Sequence, residues 1–156
     1  MPVDYQTKES ISPNVEVKRV YYTGSTSLKR GAVMVYESQT TLAAFTQGPG
    51  IDVGLSAGTD AEVFAGIVMD DSARSEGGWI NVHAPKPGEI VWCRVAGGTD
   101  AGDGVAIQAA TTDQGFSDGG AYSAGDIGVV LLDEDAADNP YASDNLAPVL
   151  FGTGIA

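Results

Sequence analysis

Residues 86–109 read KPGEIVWCRVAGGTDAGDGVAIQA. Two apolar runs, EIVWCRV and GVAIQA, are joined by AGGTDAGD, a segment of small, turn-prone residues. The first run is β-branched and aromatic and is opened by Pro87 and Gly88. This predicts a strand, a glycine-rich turn and a second strand, a hairpin at the centre of the fold. Alternation sorts the side chains of the first strand: Val91, Cys93 and Val95 share one face, and Ile90, Trp92 and Arg94 share the other. The first set suits the core of a small barrel or sandwich. The second carries a large aromatic and a charge, which suits a half-covered surface such as a subunit contact.

Outward from that hairpin the chain repeats one theme, glycine turns leading into short apolar runs. NVEVKRVYY, residues 14–22, alternates Val15, Val17, Arg19 and Tyr21 against Glu16, Lys18, Val20 and Tyr22. Apolar residues on both sides suit either an arm held between its own body and a partner, or an ordinary central strand. Gly31 opens a strand over 32–36. Residues 40–46 suit a short helical turn or loop, and the glycine-rich segment 47–59 a long loop. AEVFAGIVMDD, residues 61–71, predicts a strand in which Gly66 marks a bulge or close approach. WINVHA, residues 79–84, predicts a strand with Ile80 and Val82 inward and Trp79, Asn81 and His83 outward. A polar link over 113–126 leads to IGVVLL, residues 127–132, apolar on both faces and expected to be the most buried strand. An acidic loop then precedes the closing strand, LAPVLFG. Seven or eight short strands at this spacing define an all-β class with barrel character.

At 156 residues the chain has the length of one domain. It contains no apolar run long enough to cross a membrane as a helix, and its first ten residues lack the apolar core of a signal peptide. Synthesis and use without secretion are expected, with no membrane partner. Cys93 is the single cysteine. It cannot form an intrachain disulfide and reads as a buried structural thiol. The charge is unevenly placed. Residues 1–30 carry five Lys and Arg against three acids, and the remainder carries three against eighteen. So acidic a body repels phosphate, which argues against a nucleic-acid partner. A mildly basic arm suits an acidic neighbouring surface, or is simply a polar terminus.

Reactive constellations are sparse. Gly54-Leu55-Ser56-Ala57-Gly58 matches the G-x-S-x-G nucleophile elbow, but that turn needs a strand-to-helix setting that the surrounding pattern does not offer. Asp133, Glu134, Asp135, Asp138 and Asp144 crowd one loop, with spacing that misses the EF-hand, and read as a solvated acidic loop. His83 has no cysteine or second histidine to complete a zinc site and reads as a surface or interface residue. No enzyme activity, no metal and no cofactor are expected.

Taken in order, LKRGAVMVY, AGIVMDD, INVHAPKPGEIVWCRVAGGTDAGDGVAI, AGDIGVVLLDED and APVLFG resemble the small capsid decoration, or cement, proteins of tailed bacteriophages. The resemblance spans residues 28–152. It implies a β-barrel or β-tulip body of short antiparallel strands over 28–156, with an extended N-terminal arm over 1–27. It also implies a homotrimer on the outside of the expanded head, stabilising contacts between major capsid subunits. The protein would be made in the host cytoplasm and end on the virion exterior. On this reading Val15, Val17, Lys18, Arg19, Tyr21 and Tyr22 are the candidates for the capsid contact, and Trp79, Trp92 and Arg94 for the trimer contact. The alternative is a fibre- or adhesin-like module that binds a carbohydrate or receptor through its aromatics.

Overall fold

The computed structural model describes residues 16–56, 63–69, 77–106, 114–118 and 126–152. Val15 of the expected capsid contact lies outside them, as does part of the link over 113–126. The fold is all-β, with two single 3-10 turns, Leu42–Ala44 and Ala142–Asp144, as the helical elements among the described residues.

Five strands close into a barrel: β1 (Glu16–Tyr22), β2 (Val33–Tyr36), β3 (Asp52–Leu55), β4 (Val63–Val68) and β5 (Gly78–Ala84). Their order around the barrel is β1-β3-β2-β4-β5. β1 closes it, antiparallel to β5 from Glu16↔Ala84 to Tyr22↔Gly78 and parallel to β3 at Tyr21↔Asp52 and Tyr22↔Val53. The interior holds Val20, Tyr22, Leu28, Met34, Val53, Ile80 and Val82, all buried. Closure leaves the barrel, among the described residues, without an edge strand of its own.

Three expectations change here. The 1–27 arm loses at least residues 16–22 to the barrel, because Val20 and Tyr22 are 2% and 1% exposed and β1 is paired along its length. The loop expected over 47–59 contains β3. Asp52, 1% exposed, turns the chain into that strand by accepting the Thr46 and Gln47 backbone N–H groups at 2.6 and 2.9 Å. The parallel β1–β3 pair also departs from a purely antiparallel body.

The bulge expected at Gly66 is present. Met34 pairs with Gly66 and Val35 with Phe64, so Ala65 is the extra residue. A Cβ on Gly66 would lie 2.8 Å from Val82 Cγ2 and 2.9 Å from His83 O, which explains why a residue without a side chain stands there.

A second sheet has the order β6-β10-β9-β7-β8. Its strands are β6 (Ile90–Arg94), β7 (Gly104–Ala106), β8 (Ser117–Asp118), β9 (Gly128–Val130) and β10 (Leu146–Phe151). The two runs expected to pair as a hairpin, β6 and β7, are therefore separated by β10 and β9. The glycine-rich segment between them is tied to the acidic loop instead. Glu134 accepts the Gly98 N–H, Asp133 accepts the Ala101 N–H, and Val130 O accepts the Gly102 N–H at 2.7 Å. These carboxylates hold a turn in place, which corrects the reading of that loop as merely solvated. The most buried strand is β10, not β9: Leu131, just past β9, is 44% exposed. The polar link over 113–126 also contains a core residue, Phe116, at 0% exposure.

The two sheets share a core. Val33, Phe64 and Ile67 project from the outside of the barrel into Val91, Cys93, Val95, Val105, Phe116 and Phe151 of the second sheet. The inward face of β6 is thus as the alternation predicts. Burial of Cys93 pushes its thiol well above the ordinary value of 9.0. We expect a thiol reagent such as DTNB to leave the native protein unlabelled at pH 8 and to label one equivalent in denaturant. Prompt native labelling would show that this core opens readily.

Candidate functional site

The side of the barrel formed by β1 and β5 carries Val17, Arg19, Tyr21 and Trp79. The alternation of β1 turns Val17, Arg19 and Tyr21 away from the interior that Val20 and Tyr22 occupy. Antiparallel register then places Tyr21 directly opposite Trp79, and Arg19 opposite Asn81, diagonal to Trp79. The rings of Tyr21 and Trp79 meet edge to face, 5.5 Å apart at 81°. The Arg19 guanidinium carbon lies 5.7 Å from the centre of the Trp79 ring, a cation–π contact. Trp79 remains 40% exposed and Val17 50%. Lys18 leaves from the other side of β1, where its ammonium sits 3.7 Å from Glu16 in a solvent-exposed pair. Such pairs add little to stability and leave the charge available to a partner.

This patch unites members of two separate sequence-derived sets: Val17, Arg19 and Tyr21 from the capsid set, and Trp79 from the trimer set. The other expected contact residues are elsewhere. Tyr22 is a core residue whose hydroxyl donates to Thr26 O at 2.8 Å, and burial pushes its phenol above 10.0. Trp92 and Arg94 face away from the β6 core as predicted, yet they are only 9% and 5% exposed. Trp92 packs edge to face on Tyr141 at 5.1 Å, because the 3-10 turn before β10 folds over that face. The half-covered surface expected of them is covered by the chain itself.

His83 also differs from expectation. It is 4% exposed, and its Nε2 lies 2.6 Å from Glu89 Oε1, though not aligned as a hydrogen bond. Glu89 in turn accepts the Lys86 N–H at 2.8 Å, so the Pro85–Pro87 turn folds the carboxylate back over the histidine. Ser56 of the G-x-S-x-G match is buried at the end of β3, a barrel strand lying between β1 and β2. Among the described residues no three His, Cys, Asp or Glu side chains are grouped to hold a metal ion.

The described chain is thus a closed β-barrel with a second sheet packed on one side and a cation–aromatic patch on another. No protein-family model and no curated protein matches it. Among solved structures it is similar to the N base of the head fibre gp8.5 of bacteriophage phi29. That similarity has a TM-score of 0.54 at 8% identity and covers 88% of this chain and 95% of the phage chain. At that identity the likeness is one of fold.

Proposed function

We propose that this protein is a structural component of a bacteriophage virion, bound to the outside of the expanded head. The supporting observation is the fold shared with a phage head-fibre base over nearly the whole of both chains. The order of motifs that resembles cement proteins points the same way. The patch of Val17, Arg19, Tyr21 and Trp79 is the contact with the major capsid protein. Aromatic and arginine side chains on a rigid strand pair lose little conformational entropy on binding, which makes them effective anchors. A homotrimer engaging three capsid subunits at once would multiply a modest patch through effective concentration. Preferential binding to the expanded shell would stabilise that state by mass action. No catalysis and no nucleic-acid partner belong to this reading.

The experiment is cosedimentation of the purified protein with expanded and unexpanded heads, beside a solution mass measurement. Saturable binding to expanded heads is expected. Arg19→Glu and Trp79→Ala are each expected to weaken it at least tenfold while leaving the thermal melt within a few degrees. Wild-type occupancy by both variants would move the contact to another face, and failure to bind heads of either kind would end the proposal.

The carbohydrate-binding alternative gains one observation, the pairing of Tyr21 with Trp79. Yet the rings meet edge to face and Arg19 covers part of Trp79, so they do not form a flat stacking platform. A glycan array separates the two readings.

A further inference from the structure

The chain has eight lysines and arginines against 21 acids, yet three of the eight, Lys29, Arg30 and Arg94, line one cleft of about 420 Å³. The single acid among its lining residues is Asp144. Leu28 and Leu146, both buried, supply its apolar surface, and Tyr141 supplies an aromatic one. A lining with three cations and one acid stands out in a chain of net charge −13.

The cleft is built into the fold. Arg94 ends β6 and is 5% exposed. Gly31 (φ +79°) has no room for a side chain: a Cβ there would collide with Leu146 Cδ2 and lie 3.3 Å from Arg94 Cγ. The turn that carries Lys29 and Arg30 is pinned from across the molecule by Gln114. Its Oε1 accepts the Lys29 N–H at 3.0 Å, and its Nε2 donates to Ser27 O at 2.7 Å. Tyr141 is braced by its edge-to-face contact with Trp92. Arg30, Arg94 and Tyr141 each interact with other groups of the protein. A guanidinium presents five N–H donors in a fixed fork, a geometry that matches a carboxylate.

We propose that this cleft binds a peptide segment presenting a carboxylate beside an apolar side chain. The carboxylate meets the guanidinium and ammonium donors in charge-assisted hydrogen bonds. The apolar side chain lies against Leu28 and Leu146, and Asp144 accepts an N–H of the segment. A bare inorganic anion would satisfy the cations but leave the apolar surface and most of the volume unused. At physiological salt the distant acids of the body are screened over about 8 Å, whereas contacts inside the cleft are not. The proposal is independent of the head-binding reading.

The test titrates the isotope-labelled full-length protein by NMR with the acetylated, amidated tripeptide Leu-Glu-Leu, its Leu-Gln-Leu counterpart, and inorganic phosphate. The glutamate peptide is expected to shift the amides of Gly31, Arg94 and Leu146 and to bind at least tenfold tighter than the glutamine peptide. The double variant Lys29→Gln, Arg30→Gln should lose at least tenfold in affinity with an unchanged thermal melt; these two lie toward the rim, whereas Arg94 is buried and its loss would disturb the fold. Equal affinity for the two peptides, no shifts at millimolar peptide, or unchanged binding by the double variant would each overturn the proposal. So would phosphate binding as tightly as the glutamate peptide, since the cleft would then read charge alone.

Discussion

Removing residues 1–20 is expected to leave no stably folded protein, whereas removing residues 1–14 is expected to leave the melting temperature nearly unchanged. The longer truncation deletes Glu16–Val20 and with it five of the seven register pairs between β1 and β5, so the barrel opens. Backbone hydrogen bonds contribute about 1 kcal/mol each, and burying a valine about 2 kcal/mol. The loss is then of order 5–7 kcal/mol, comparable with the whole stability of a typical domain. It also exposes β5 as an unpaired edge, which invites aggregation. The shorter truncation spares every strand pairing described. Circular dichroism melts of the two proteins side by side check this. A cooperative, wild-type-like melt for the 21–156 protein would show that β1 is dispensable to the barrel.

Phe116→Ala is expected to cost about 3–5 kcal/mol and to lower the melting temperature by roughly 6–20 °C, in a transition that stays single. Phe116 is fully buried, 5.5 Å from the Phe64 ring of the barrel and 5.9 Å from Phe151 of the second sheet. It therefore bridges the two layers, and the cavity left behind would weaken both. Hydrogen exchange is the discriminating measurement: amides of β5 and of β10 should lose protection together. Two separate transitions, with β5 still protected after β10 has opened, would mean that barrel and sheet are independent units.

Faces were more legible in the sequence than neighbours. A period of two places Val91, Cys93 and Val95 together facing a core, and a glycine inside a strand pattern marks the bulge at Gly66, because both are properties of one strand. Pairing partners depend on residues far away. β6 and β7 looked like a hairpin because a glycine-rich segment joins them, and nothing local reveals that β10 and β9 come between. β3 was hidden because four residues with a glycine among them, Asp52–Leu55, carry too little pattern. Exposure failed in the same way: Trp92 and His83 alternate outward, but Tyr141 and Glu89, from other segments, cover them. The members of the patch were all named, though under two different roles, because only the β1–β5 register shows that Tyr21 and Trp79 are opposite one another. Lys29 and Arg30, adjacent cations in an acidic chain, were a visible signal for the cleft. Joining them to Arg94 required knowing that Gly31 packs beneath its side chain.

Arg19 and Trp79 are 60 positions apart and become neighbours only when the first barrel strand meets the last. A ribosome must therefore release the chain past residue 84 before that surface can exist at all. A half-made or misfolded copy lacks that surface, so if the proposed head contact is made there, the shell would admit finished subunits and pass over the rest without any separate inspector.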